Sequence, residues 1–261
     1  ALILMLAKYF SRRHVAIGEW RHVMISALYM FVPFVLILLQ PDFGSAMVIF
    51  FIWFGMVLFS GLGRKQILIL TTIGAVVFAS FWLFVFKPYQ KARIINFINP
   101  SADIRGTGYN VFQSIVAVGS GQVIGKGIGY GTQSRLQYLP EHETDFIFAA
   151  FSEEWGFIGD ILLLGLYAFL FYRIISIALV GSSNFEALYA VGFAIYLMSH
   201  LVVNIGMNIG LMPVTGIPLP FMSYGGSHLI AEFAALGIVM NMGHNVRATH
   251  RSEMKNELVG I

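Results

Sequence analysis

The residues best able to do chemistry are acidic side chains crowded into one short stretch of an apolar chain. The 261 residues include only 13 Asp and Glu, and six of these fall within about twenty positions: Glu141, Glu143, Asp145, Glu153, Glu154 and Asp160. The stretch lies where a polar segment gives way to an apolar run. A carboxylate within hydrogen-bonding reach of a hydroxyl group can act as a general base. The cluster is therefore either a hydrated surface or a reaction site.

A set of basic residues precedes the carboxylates in the same segment: Lys87, Lys91, Arg93, Arg105, Lys126 and Arg135. Lysine neutralises phosphate oxygens as a point charge, and arginine binds them with two parallel hydrogen bonds. Bases and acids together indicate a site for a polyanionic substrate. The alternative is a solvated loop whose charges pair with one another, which contributes little to stability. The glycine-rich run around Lys126 is not a nucleotide P-loop, because Gly127 stands where the magnesium-binding Ser or Thr belongs.

A second group of polar residues lies inside apolar segments. His200, Asn204 and Asn208 recur every four residues and predict one polar stripe along a helix. Interhelical hydrogen bonding is the favoured interpretation of the two asparagines. Glu232 also lies within a predicted span, where an ionisable residue indicates either function or interhelical bonding. No pattern of side chains supports a metal site.

Composition decides which elements hold these residues. Hydrophobic residues form 57% of the chain and charged residues 11%, against about 45–50% and about 25% in soluble domains. Several apolar runs approach the roughly 20 residues that cross a bilayer as a helix. The runs are continuously apolar rather than alternating, which argues against a membrane barrel. The sequence predicts an integral membrane protein and gives no sign of nucleic-acid binding.

The predicted fold is all-α: a polytopic helical membrane protein with about six full transmembrane helices and a partial one at the amino terminus. The predicted spans are residues 23–39, 45–62, 66–86, 146–172, 185–211 and 227–242. Residues 173–186 are expected to form a short turn. Residues 1–261 form a single membrane domain, and residues 87–145 form a large loop within it. Apolar residues 111–118 in that loop are expected to lie on the membrane surface or to pack back onto the helices.

Short loops that are rich in Lys and Arg face the cytoplasm. With the first loop on that side, ten of the 16 basic residues collect there, and the other six lie in the long loop. The acidic cluster and the two loops at residues 40–44 and 212–226 then face outward. Because soluble nucleotides are absent outside the cell, a reaction there needs a substrate that carries its own activation.

Several motifs appear in the order found in a known family. They are Gln40-Pro41-Asp42-Phe43-Gly44-Ser45, Gly108-Tyr109-Asn110, Gly125-Lys126-Gly127, Gly131-Thr132-Gln133-Ser134, Thr144-Asp145-Phe146-Ile147-Phe148-Ala149, and Pro218-Leu219-Pro220 with Ser223-Tyr224-Gly225-Gly226-Ser227. Over essentially its whole length the chain resembles the SEDS family (shape, elongation, division and sporulation). The Gly-Lys-Gly and Gly-Thr-Gln-Ser elements are more similar to the elongation member, RodA, than to the division member, FtsW. Members typically have ten spans, so the resemblance also implies that the amino-terminal part is missing here.

The resemblance implies a peptidoglycan glycosyltransferase of the bacterial cytoplasmic membrane, with its active site on the outer face. It would polymerise lipid II into glycan strands during elongation and cell-shape maintenance, with undecaprenyl diphosphate leaving and the anomeric centre inverting. Asp145 matches the essential aspartate and is expected to be the general base, supported by Glu141 and Thr144. The expected diphosphate contacts are Lys126, Arg135, Arg93, Gln133 and Ser134.

The same resemblance implies partners and leaves two other functions open. A class B penicillin-binding protein would crosslink the strands, alongside other membrane proteins of the elongation complex. No cofactor is implied with certainty, although a divalent cation (Mg²⁺ or Mn²⁺) would suit the lipid diphosphate. The alternatives are a lipid II flippase, which needs a polar path through the helices, and a scaffold for the transpeptidase, which needs no external carboxylate.

Overall fold

A computed structural model describes residues 1–12, 19–84, 86, 90–91, 95, 97, 108–181 and 183–259, with side chains up to residue 243. The elements in these ranges are all helices, which confirms the predicted all-α class. In chain order they are α1 Leu2–Ser11, α2 Trp20–Leu39, α3 Phe43–Phe59, α4 Arg64–Phe84, α5 Tyr109–Ser120, α6 Thr132–Arg135, α7 Ile147–Val180, α8 Asn184–Asn208 and α9 Gly226–Val259.

Four of the described helices are long and apolar enough to cross a membrane, namely α2, α4, α7 and α8. The apolar helix α3 is shorter, with 17 residues. Helix α2 keeps Pro33 inside it, as expected of a helix whose neighbours can satisfy the freed backbone groups. The protein is therefore a multi-pass helical membrane protein.

Helix α8 is the centre of the bundle. Two thirds of its most apolar window is buried, whereas the corresponding window of α4 has no buried residue within the described protein. Helices α1, α3 and α7 pack around α8, and together they enclose the main apolar core. Any side chain that α8 points toward the loops at its carboxyl-terminal end is thus held by the most buried of the four long helices.

Two predicted boundaries are wrong. Residues 173–186 are not a turn, because α7 continues to Val180 and α8 begins at Asn184. The single charged residue Arg173 does not end α7, since residues 174–180 are mostly apolar. Helix α9 continues from Gly226 to Val259, beyond the predicted end at residue 242, because backbone hydrogen bonding continues the helix into polar sequence.

The long loop contains ordered structure that packs against the bundle. Helix α5 includes the predicted apolar piece at residues 111–118, and it buries Val111, Ser114 and Ala117. Its neighbours are α7 and α8. We call residues 121–146, which follow α5, loop A, and residues 209–225, between α8 and α9, loop B. The two loops meet at the amino-terminal end of α7.

Candidate active site

Two asparagines of α8 hold the backbone at Asp145. The Asn204 side-chain amide donates hydrogen bonds to the carbonyl oxygens of Asp145 (2.9 Å) and Ile217 (2.8 Å). The Asn208 amide donates to the same Asp145 carbonyl (3.1 Å), and its oxygen accepts from the Ala149 N–H (3.1 Å). Both asparagines are fully buried. The two asparagines therefore hold the backbone at Asp145 and at the start of α7, and of these bonds only the one to the Ala149 N–H joins two helices as predicted.

Loop B is tied to the other side of the same turn. The Ser223 hydroxyl donates to the Thr144 carbonyl (2.6 Å), and the Tyr224 N–H donates to the Glu143 carbonyl (2.8 Å). Gly216, whose φ of +74° favours glycine, lies beside the Asp145 side chain, because a Cβ atom there would be in van der Waals contact with Asp145 Oδ2 at 3.4 Å. The half-buried Asp145 carboxylate thus lies against loop B, while its own backbone is fixed.

The start of α3 completes this region. Asp42 caps the helix by accepting a hydrogen bond from the Ser45 N–H (2.9 Å), the usual role of Asp at this position. Gly44 lies against loop B, because a Cβ atom there would be 2.6 Å from the Thr215 carbonyl oxygen. The two predicted loops, residues 40–44 and 212–226, therefore converge near Asp145.

Glu141 and Thr144 form the tight turn that precedes Asp145. The Thr144 hydroxyl donates to Glu141 Oε2 (2.9 Å), and the N–H groups of Thr144 and Phe146 donate to the Glu141 carbonyl. Glu141 has a φ of +55°, an uncommon conformation for a residue other than glycine. The two predicted supporting residues thus hold each other and shape the turn that presents Asp145.

Glu153 occupies a second centre, built on a break in α7. Gly156 has a φ of +66° and a ψ of −169°, which interrupts the helix. The carbonyls freed at Glu153 and Glu154 accept from the N–H groups of Lys126 and Gly127 at 3.0 Å each. On the other side of the break, the N–H groups of residues 157 and 158 donate to the carbonyls of residues 122 and 123. The backbone of loop A therefore supplies partners for the groups whose two helical hydrogen bonds are missing at the break.

The fully buried Glu153 side chain binds the rest of loop A. Lys126 Nζ lies 2.7 Å from Glu153 Oε1 and also donates to the Thr132 hydroxyl (2.9 Å). The N–H groups of Thr132 (2.9 Å) and Gln133 (3.1 Å) donate to the same carboxylate. A buried carboxylate needs such partners, because an unpaired charge away from water is strongly unfavourable.

The predicted diphosphate contacts are distributed around this second centre. Lys126 and Gln133 are engaged with Glu153, and the Ser134 hydroxyl donates to the Gly131 carbonyl. Arg135 lines a cavity of about 410 Å³ between loop A and α7, together with Ser134, His142 and Glu154. Arg93 lies outside the described residues. The diphosphate assignments therefore stay predictions, and Arg135 is the contact most accessible to a ligand.

The structural role of Glu153 was missed from the sequence, although the residue was part of the acidic cluster. A usable signal was present: Glu153 lies three residues before a glycine inside an apolar run, and a lysine flanked by glycines occurs upstream. Within the described part of the chain, no three metal-binding side chains come together. The divalent cation at the diphosphate stays a prediction, and the role proposed for Asp145 does not depend on it.

Comparisons with known proteins identify the relatives of the chain. The model of the FtsW/RodA/SpoVE family, described as "Cell cycle protein", matches residues 1–248. The peptidoglycan glycosyltransferase MrdB of Escherichia coli strain K12 is 37% identical over 258 residues, which cover 99% of this chain and 68% of that protein. The stage V sporulation protein E of Bacillus subtilis is 39% identical over 248 residues, covering 95% of this chain and 67% of that one.

Solved structures give the same result. A chain from a peptidoglycan synthase complex, described as coordinating polymerization and crosslinking, matches with a TM-score of 0.77 and 35% identity over 94% of this chain and 67% of that one. The rod shape determining protein RodA of Thermus thermophilus matches with a TM-score of 0.62 and 32% identity, covering 94% of this chain and 62% of that one. The chain spans roughly two thirds of the length of these relatives.

Proposed function

Because the chain belongs to the FtsW/RodA/SpoVE family of cell cycle proteins, we propose that it carries the peptidoglycan glycosyltransferase activity of its relatives and that Asp145 is the general base. The predicted SEDS membership, with RodA-like relatives, is confirmed. The names of the relatives favour glycosyl transfer over the flippase and scaffold alternatives. The reaction extends glycan strands from lipid II during cell elongation.

One observation carries the assignment of Asp145. Its carbonyl oxygen accepts from two buried asparagine amides, so the backbone is fixed while the carboxylate lies between the two loops. A general base contributes most when it is held at hydrogen-bonding distance from the proton it removes. Asp145 also lies just before α7, and the amino-terminal end of a helix favours negative charge. The Asp145 carboxylate must carry that charge before the reaction in order to act as a base.

The chemistry follows from this placement. The Asp145 carboxylate takes the proton of the acceptor sugar's 4-hydroxyl group as the oxygen attacks the anomeric carbon of the donor. The bond from that carbon to the diphosphate breaks, and undecaprenyl diphosphate leaves with the electron pair. The proton on Asp145 then passes to water. A single displacement at an α-linked donor gives a β-linked product, the same inversion logic that applies to glycosidases.

The surroundings of the site suggest how the donor is held. Arg135 opens into the cavity beside α7, where its guanidinium group can bind diphosphate oxygens with two hydrogen bonds. We place the site on the outer face of the bacterial cytoplasmic membrane, because the basic short loops mark the opposite side as cytoplasmic. A class B penicillin-binding protein is the proposed partner, supported by the similar chain found in a synthase complex.

The test is polymerisation of labelled lipid II by the full-length protein, reconstituted with its transpeptidase. Asp145→Asn and Asp145→Ala are compared with Glu19→Gln, which removes an exposed carboxylate at the amino-terminal end of α2, away from the candidate site. We expect the Asp145 variants to lose about 10²- to 10⁴-fold in rate and the control to stay near the unaltered protein. Strands that persist in folded, partner-bound Asp145 variants would refute the assignment and favour the flippase or scaffold.

A further inference from the structure

A buried polar cluster lies behind loop B, between α8 and α9. His228 Nε2 and Glu232 Oε1 lie 2.9 Å apart, at ion-pair distance, and within the described residues neither atom makes an aligned hydrogen bond. Glu232 is 1% exposed. The Tyr196 hydroxyl and the His200 ring are the neighbours of the His228 ring. The scheme proposed above uses none of these side chains.

The cluster holds an irregular piece of backbone. Residues 217–221 are not helical, and side chains satisfy five of their backbone polar groups: Asn204 at the Ile217 carbonyl, His200 at the Pro218 carbonyl, Ser223 at the Leu219 N–H, Tyr167 at the Pro220 carbonyl, and Glu232 at the Phe221 N–H (2.8 Å). Non-helical backbone within a membrane protein persists only where such partners exist. Glu232 supplies the α9 anchor of this piece.

The same piece of backbone leads directly to the active site. Ser223 accepts from the Leu219 N–H (2.7 Å) and donates to the Thr144 carbonyl (2.6 Å). Asn204 binds the carbonyls of Ile217 and Asp145 at once. Residues 217–221 are thus fixed to α9 at Phe221 and to the residues at and next to Asp145 through these two links. A shift at Phe221 would move the two links together.

A buried carboxylate is a poor choice for packing alone. Replacing a buried ion pair by apolar residues of similar volume is often neutral or stabilising, so the fold by itself does not require a carboxylate at position 232. What an apolar residue lacks is an acceptor for the Phe221 N–H. His228 Nε2 lies 2.9 Å from Glu232 Oε1, while Oε2 accepts from the Phe221 N–H, so the two contacts together set the direction of the carboxylate.

We propose that Glu232, oriented by His228, is a positioning residue that sets the place of Asp145 through residues 217–223. The proposal rests on the function proposed for Asp145. Its specific consequence is that the acceptor at position 232 sets the geometry of loop B in addition to its contribution to stability. Displacements of about 1 Å at a catalytic group reduce rates by up to about 100-fold.

Four variants of the full-length protein in complex with its transpeptidase test this. Glu232→Gln keeps an acceptor for the Phe221 N–H, and we expect turnover within about twofold of the unaltered enzyme. Glu232→Leu removes it and leaves His228 unpaired. The double variant His228→Leu with Glu232→Leu removes the acceptor but leaves no buried charge. Tyr189→Phe is the control, because the Tyr189 hydroxyl of α8 donates its hydrogen bond to the Ala235 carbonyl of α9 and not to loop B.

The double variant separates positioning from stability. We expect its melting temperature to lie above that of Glu232→Leu, although the Phe221 N–H still lacks its acceptor, while kcat stays about 10- to 100-fold low and KM for lipid II changes less than threefold. Hydrogen exchange at residues 219–224 should be faster than in the Tyr189→Phe control. If turnover instead follows melting temperature through the series, Glu232 is only structural and the proposal is wrong.

The proposed function is tested separately in the same assay. Activity that persists in Asp145→Asn would overturn the role of Asp145, whatever the Glu232 variants do. If Asp145→Asn is inactive and the double variant His228→Leu with Glu232→Leu polymerises at the normal rate, the base assignment stands and the positioning role alone fails.

Discussion

Replacing Lys126 with Met should destabilise the protein severely. The Glu153 side chain is fully buried, and Lys126 Nζ lies 2.7 Å from it. Without that ammonium, the carboxylate keeps only neutral donors, namely N–H and hydroxyl groups of loop A and the Ser120 hydroxyl of α5. Removing one partner of a buried ion pair costs about 3–5 kcal/mol in the free energy of unfolding, because the remaining charge stays uncompensated. For a chain of this size we expect a melting temperature lower by about 10 °C.

The double variant Lys126→Met with Glu153→Gln provides the decisive comparison. The glutamine oxygen can still accept from the N–H groups of Thr132 and Gln133, and no buried charge remains. Its melting temperature in detergent, measured by thermal denaturation, should recover more than half of the loss. If Lys126→Met melts like the unaltered protein, or if the double variant is as unstable as the single one, the buried pair does not hold loop A and the reasoning fails.

The same pair of variants tests whether Lys126 also binds the diphosphate. Lys126 Nζ already donates to two partners within the protein, the Glu153 carboxylate and the Thr132 hydroxyl. If the lysine is only structural, the double variant should regain polymerase activity along with its stability. If it also contacts the substrate, stability should return while the KM for lipid II remains at least about tenfold higher, because a charged hydrogen bond to phosphate is lost.

Two further substitutions test the scaffold. Gly156→Ala places a Cβ atom 2.3 Å from the Gly125 backbone nitrogen at a positive φ, so we expect a loss of about 2–4 kcal/mol in unfolding free energy; Gly165→Ala, which meets nothing within 4 Å, should leave the melting temperature unchanged. Asn208→Leu leaves the Ala149 N–H without its side-chain acceptor, so we expect the free energy of unfolding to fall by about 2–4 kcal/mol and kcat to be lower. The control Asn241→Leu, at an exposed position, should change neither quantity. Equal melting temperatures for the two variants would contradict the scaffold role of Asn208.

The helical class and the main spans were predictable because continuous apolar runs have one stable solution in a bilayer. The convergence of the two loops on Asp145 was not predictable from hydropathy. It depends on Gly44, where the missing Cβ allows close approach of α3 to loop B, and on Gly216, whose positive φ turns loop B beside Asp145. The sequence alone does not show which segment of backbone will approach a given glycine.

The candidate site was predictable in part. Asp145 and its turn with Glu141 and Thr144 followed from motifs, and the structure places the three together. The break of α7 at Gly156 was hidden, because the apolar run continues across it. Since α7 is interrupted, Lys126 pairs with a carboxylate 27 residues away, a contact that no local spacing indicates.

The acidic cluster therefore divides into two parts with opposite requirements. Glu153 is surrounded by donors and sealed from solvent, so its charge is used to organise loop A, and access for a substrate would weaken it. Asp145 is half-buried, and two buried amides fix its carbonyl group. A general base must exchange protons with substrate and water, so the partly exposed position of Asp145 suits the catalytic role proposed for it better than the sealed position of Glu153 does.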